Sequence, residues 1–202
     1  MKKERAKKLL GICIFLMGLM IFSVLPVQAA SPEMHTIQPG KTWTGYDITG
    51  DGKKDRIKVV RKESQYDGYW NGADIYVNNR KVCAINKSFM DISIRIITLS
   101  NGKPFLCLRG GTDNDISVFH GLYQYRNGKI VQVVNFLNET YGRPVNEAAI
   151  YLSGNTIRVR TEAMSYSLGY CTTEFTYKYQ KGTLLRTSNY GKYIKLNAAN
   201  KR

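Results

Sequence analysis

Six turn-forming dipeptides punctuate this chain at nearly even distances: Asp51-Gly52, Asn78-Asn79, Asn101-Gly102, Asn127-Gly128, Gly154-Asn155 and Lys181-Gly182. Their first residues lie 27, 23, 26, 27 and 27 positions apart. Such pairs supply the positive φ that tight hairpin loops require, so each is a place where the chain reverses. The segments between them alternate or run continuously apolar. Examples are Asp74-Ile75-Tyr76-Val77, Ile92-Ser93-Ile94-Arg95-Ile96-Ile97, Phe105-Leu106-Cys107-Leu108, Ile130-Val131-Gln132-Val133-Val134 and Thr156-Ile157-Arg158-Val159-Arg160. A period of two and a content rich in β-branched and aromatic residues are strand signals. No stretch beyond residue 30 has a helical period, although Glu139 to Ile150 has room for one short turn. The expected class is all-β, built from antiparallel hairpin repeats. Two hairpins make a four-stranded blade, so six predict an open, propeller-like stack of about three four-stranded blades, fewer than the four with which propellers usually close. A β-trefoil and a two-sheet β-sandwich fit the same spacing and stay open as alternatives.

The N-terminus reads differently. Lys2, Lys3, Arg5, Lys7 and Lys8 form a positive segment, Leu9 to Leu25 is almost wholly apolar, and Pro26 ends the run. Val27-Gln28-Ala29 then places small residues where a signal peptidase reads, so residues 1–29 are expected to be a signal peptide. The chain is accordingly expected to be secreted. The apolar run is shorter than the ~20 residues a spanning helix prefers. Retention by an uncleaved N-terminal segment is the alternative, and the only expected route to a membrane. Residues 30–42 follow as a polar lead-in, 43–196 as a single all-β domain and 197–202 as a C-terminal tail. The whole chain carries 30 Lys and Arg against 15 Asp and Glu; without residues 1–29 the balance is 25 against 14, or +11. A positive field of this size favours polyanions outside the cell. The cations are spread over strands and turns, however, which ordinary solubility explains as well. Nucleic-acid recognition motifs are absent, so no specific nucleic-acid reading is expected. Beyond the leader three cysteines remain, Cys83, Cys107 and Cys171, an odd number that rules out a complete disulfide framework. Each lies in an apolar strand pattern, where buried free thiols are the rule. A Cys83–Cys107 bridge stays open if those strands are neighbours.

The stretch Tyr46-Asp47-Ile48-Thr49-Gly50-Asp51-Gly52-Lys53-Lys54-Asp55 has the chemistry of an ion loop. It offers oxygens at positions one, three, five and nine (Asp47, Thr49, Asp51, Asp55), a glycine at six (Gly52) and a main-chain carbonyl at seven (Lys53). A hard cation needs several oxygens at about 2.3–2.6 Å, which such spacing can supply from one turn. Position twelve is Lys58, where an EF-hand would place a bidentate Glu, and the flanks read as strands. An Asp/Gly hairpin turn without metal accounts for the same residues.

The run Asp47-x-Thr49-x-Asp51-Gly52-x-x-Asp55 between strands resembles the calcium loops of FG-GAP and VCBS repeats, the integrin-type β-propeller blades. The chain as a whole resembles small secreted proteins of Gram-positive, clostridial-type anaerobes. The first resemblance implies a structural calcium held by Asp47, Asp51 and Asp55, with Thr49 and the Lys53 carbonyl assisting. Thr49 stands where Asp or Asn is more usual, and Lys53, Lys54 and Arg56 lower the local negative potential. The expected affinity is that of extracellular modules, about 10⁻⁴–10⁻³ M.

Other candidates carry less. Gly110-Gly111-Thr112-Asp113-Asn114-Asp115 offers oxygens on a flexible backbone, but a polar connection explains it as well. Tyr69 and Trp70 lie together near Tyr66 in a loop-like stretch, and flat rings beside polar groups suit sugars or peptides. Most of the 14 tyrosines of a β-rich chain fill half-buried sheet faces instead. The candidate ligand contacts are therefore Tyr69, Trp70, Asp113 and Asp115. Catalysis finds little support: His120 follows Val118-Phe119 in a strand pattern, no nucleophile elbow accompanies it, and no His/Cys cluster has zinc spacing. The expected function is a calcium-stabilised, non-catalytic binding module facing a cell-wall polymer, glycan or surface protein. The alternatives are a basic cell-wall or polyanion-binding module and a secreted hydrolase using His120.

Overall fold

The structure, a computed structural model, describes residues 30–112, 116–137, 145–165, 169–187 and 194–195. The expected signal peptide and C-terminal tail lie outside them. The strands in chain order are β1 (Glu33–Ile37), β2 (Thr42–Thr44), β3 (Arg56–Glu63), β4 (Trp70–Val77), β5 (Arg80–Ile85), β6 (Asp91–Thr98), β7 (Pro104–Gly111), β8 (Ser117–Arg126), β9 (Lys129–Asn135), β10 (Val145–Ser153), β11 (Thr156–Ser165), β12 (Gly169–Gln180), β13 (Thr183–Arg186) and β14 (Ile194–Lys195). The all-β expectation holds, with antiparallel pairing throughout.

The turn dipeptides fall where strands reverse. Asn78 and Asn79 both have positive φ (51° and 64°) between β4 and β5, as do Asn127 and Gly128 between β8 and β9 and Lys181 and Gly182 between β12 and β13. This is the geometry that matches a hairpin loop to the right-handed twist of its strands. The strands form three sheets: β2-β3-β4-β5, then β1-β6-β7-β8-β9, then β10-β11-β12-β13 with β14 added on β12. Each contains a meander of four consecutive strands. The polar lead-in supplies β1, which pairs with β6 and buries Ile37 while Glu33 to Thr36 stay exposed. An edge strand needs little more than main-chain pairing and one anchor, so polarity and strand coexist there. Residues 145–153, overlapping the stretch that had room for a turn, form β10, with Ala148 and Ile150 buried at a period of two.

The second sheet lies between the other two. Ile94, Ile96, Leu106, Leu108 and Phe119 face the first sheet and pack with Ile57, Val59, Ala73, Ile75 and Val77. Ile97, Phe105, Cys107, Leu122 and Val134 face the third and pack with Ile150, Ile157, Val159, Phe175 and Tyr177. A strand buried on both faces has no polar side to show, which is why Pro104-Phe105-Leu106-Cys107-Leu108 is buried without interruption. The outer sheets keep a wet face: in β3, Ile57 and Val59 are buried while Arg56 and Lys58 are exposed. Cys83 and Cys107 are both free. They belong to different cores, Cys83 packing against the first and Cys107 lying in the second, so the bridge left open by the sequence is not made. Burial pushes the Cys107 thiol up to about 12, which keeps it protonated and inert.

Candidate functional site

The loop between β2 and β3 is fixed at its base by apolar and aromatic contacts. Ile48 is buried in the first core. Tyr46 stacks on Trp43 with ring centres 4.9 Å apart and donates its hydroxyl to Glu33 of β1 (3.0 Å). Burial and the Glu33 carboxylate together push the Tyr46 phenol up to about 12. Above this base the aspartates organise the main chain. Asp47 accepts from the N–H groups of Gly50, Asp51 (3.0 Å) and Gly52 (2.8 Å). Desolvation pushes the Asp47 carboxyl up, but those N–H groups and the Thr49 hydroxyl outweigh it and hold it below its ordinary value. Asp55 is almost fully buried at 1 % exposure and accepts from the Thr49 N–H (2.8 Å) and from Nδ2 of Asn78 (2.6 Å). Asn78 in turn accepts from the Arg56 N–H (2.9 Å), so the turn between β4 and β5 is tied to the foot of β3.

The expected ligands converge in part. The Thr49 hydroxyl is 3.2 Å from Asp55 Oδ1 and 3.5 Å from Asp47 Oδ1, which draws the oxygens of Asp47, Thr49 and Asp55 together. Asp51 is engaged within the turn: its Oδ1 accepts from the Lys53 N–H at 2.8 Å. Among the described residues no three Asp, Glu, His or Cys side chains gather as a metal group. The donor set drawn together is thus two carboxylates and a hydroxyl, all hard oxygen ligands of the kind calcium accepts.

Tyr69 and Trp70 are half-buried rather than displayed. Trp70 opens β4, exchanges main-chain hydrogen bonds with Phe89 (2.8 and 3.1 Å), and has the Arg61 guanidinium 4.1 Å over its ring. The ring face is therefore already covered by a cation–π contact. Met90 donates to the Gly111 carbonyl at 2.7 Å, which brings the Trp70 strand end and the start of the Gly110–Asp115 stretch to one end of the molecule. Asp113 and Asp115 lie outside the described residues. His120, on β8, is 3 % exposed, packs edge-on against Phe136 with centres 5.0 Å apart, and has no partner for Nδ1 among the described residues. Desolvation, with the charges of Arg109 and Arg95, pushes it down to about 3.

One feature escaped the reading of the sequence. The outward face of the first sheet holds a cleft of about 320 Å³ lined by Thr42, Arg56, Lys58, Val60, Tyr76 and Asn79. Register explains it: Thr42 lies opposite Lys58 and Lys58 opposite Tyr76, one row across β2, β3 and β4. The alternation Arg56-Ile57-Lys58-Val59 carried the signal for two of these residues, but only strand pairing brings Thr42, Tyr76 and Asn79 beside them. The chain matches no protein-family model, no curated protein and no solved structure.

Proposed function

We propose that this chain is an exported, non-catalytic β-domain that works as a binding module, with its first hairpin steadied by one calcium ion in the 47–55 loop. The observation that carries the ion is the approach of the Asp47, Thr49 and Asp55 oxygens around the Thr49 hydroxyl. Asp47, Thr49 and Asp55 would hold it, with the Lys53 carbonyl, and Asp51 would join once released from the Lys53 N–H. A carboxylate has about four lone-pair sites, so accepting N–H groups leaves capacity for a cation. Calcium there would supply charge neutralisation for Asp47 and Asp55. The resemblance of this loop to FG-GAP and VCBS calcium loops supports the same reading. So does the layout of three four-stranded meanders stacked face to face, which we read as blades of an open propeller-like stack. Against catalysis, His120 is neutral and enclosed, so it exchanges no proton near pH 7.

Calcium titration of the mature chain by calorimetry, with thermal unfolding in calcium and in chelator, tests the ion. One equivalent should bind. With a Kd near 10⁻³ M, 10 mM calcium should add about 1.4 kcal/mol of stability. Asp51→Ala should reduce both effects and Asp47→Ala should abolish them. Absence of heat and of any shift at millimolar calcium would leave the loop as a hydrogen-bonded turn.

A further inference from the structure

The outward face of the first sheet is basic, polar and covered by nothing among the described residues. Its cations are not equivalent. Asp74, the acid of this face, is taken by Lys81 (2.7 Å) and Lys62 (3.2 Å). Lys62 also donates to Asn86 at 2.8 Å. Arg56 and Lys58 have no carboxylate within ion-pair distance among the described residues. They are two positions apart on β3, so both side chains rise from the same face about 7 Å apart along the strand. Between and beside them lie the half-buried Tyr76 and Val60, and at the rims the Thr42 hydroxyl and the Asn79 amide. The cleft therefore has an apolar floor, two uncompensated cations and two neutral hydrogen-bonding groups.

We infer that this cleft on the face of β2, β3 and β4 binds a carboxylate-bearing sugar unit of an acidic polysaccharide. A pyranose has an apolar ring face that suits the floor of Tyr76 and Val60, hydroxyls that suit Thr42 and Asn79, and, when oxidised to a uronate, a planar anion that suits Arg56. Guanidinium and carboxylate pair as fork to fork, and Lys58 adds a point charge beside the pair. The cleft lies at the small end of ligand-site volumes, about 300–1,000 Å³, which is room for one or two sugar rings rather than a folded partner. Single-stranded nucleic acid is the less fitting polyanion, because it is held by successive stacking platforms and the lining of this cleft supplies one ring, Tyr76. The inference rests on the reading of the chain as a binding module, though not on the ion.

The test is binding of the mature chain to hyaluronan oligosaccharides, measured by calorimetry with and without chelator. Dextran, polyphosphate and single-stranded DNA serve as comparison polymers. Hyaluronan should bind, dextran should not, and raising the salt from 50 to 300 mM should weaken the complex, since the screening length falls below about 10 Å. Lys58→Gln and Arg56→Gln should each weaken it about tenfold, the scale of one lost charge-assisted contact, and Tyr76→Ala should weaken it about tenfold through the lost ring contact. Lys129→Gln, an exposed cation of the second sheet, should leave it unchanged. Unfolding midpoints of these surface variants should match the parent, which separates lost contacts from lost fold. Failure of the parent chain to bind hyaluronan overturns the inference. So does equal binding of polyphosphate or DNA with no effect of Tyr76→Ala, which is attraction by charge alone. Calcium heat retained without hyaluronan binding defeats the cleft and spares the ion; hyaluronan binding without calcium heat does the reverse.

Discussion

Single side chains in this molecule hold long stretches of main chain, and Asp55 is the clearest case. Its carboxylate, offered by the sequence as an ion-loop ligand, is buried, and Asn78, read only as a turn former, is its partner. Nothing in the spacing of 23 residues between them could show that pairing, which depends on the register of β3 against β4. His120 was more legible, since its place after Val118-Phe119 in a strand pattern already indicated burial. Its folded-state value of about 3 lies well below the ordinary 6.5. The unfolded chain therefore binds a proton that the folded chain refuses in the window between those values. The contribution is fully present above pH 6.5 and is lost as pH falls, at up to about 1.4 kcal/mol per pH unit. Urea unfolding at pH 7 and pH 5.5 should show a loss of about 1.3 kcal/mol in the parent. That loss should be largely absent in His120→Leu. Parallel pH profiles for the two proteins would mean that His120 accepts a proton without leaving its site.

At the scale of elements, turns were the readable part and sheet irregularities were not. Asparagine and glycine at turn positions announce their φ, so the reversals between β4 and β5, β8 and β9, β10 and β11, and β12 and β13 could be placed from the sequence. Gly72 gave no such signal. It is buried within β4 with φ of 119°, and a Cβ there would collide with the carbonyl oxygen of Ile85 on β5. Gly72→Ala should therefore cost about 3 kcal/mol, combining a strained conformation with a backbone collision that no rotamer relieves. Gly154→Ala, at a turn with open space around the added carbon, should cost about 1 kcal/mol. Denaturant unfolding of the two variants checks the order, and equal losses would show that β5 yields to the extra methyl. Elements also explain why the cleft was missed. Lys58 and Tyr76 are 18 positions apart in the chain and face each other only once β3 and β4 pair.

For the whole molecule, the even turn spacing foretold an all-β chain of hairpins and about three groups of four strands. It did not foretell the extra strands, because β1 joins β6 from 54 positions away, counting from Ile37 to Asp91, and recruits the polar lead-in. Among the described residues, the two hydrophobic cores meet through the second sheet. Phe175 is fully buried in the second core, and Phe175→Ala should cost about 3–5 kcal/mol. Hydrogen exchange should then show protection lost chiefly in β10 to β13, with β2 to β5 much less affected. Uniform loss across all three sheets would mean that the cores melt as one.

That separation bears on how such a chain can diversify. The residues that build the cleft and the loop rest on the first core, and among the described residues the third sheet is separated from that core by a layer of β6 to β9 whose side chains point alternately to each neighbour. Substitutions on the outward face of the third sheet, or in its turns, therefore leave the first sheet's surface chemistry in place. One side of the fold is free to drift in sequence while the surface of the other is kept.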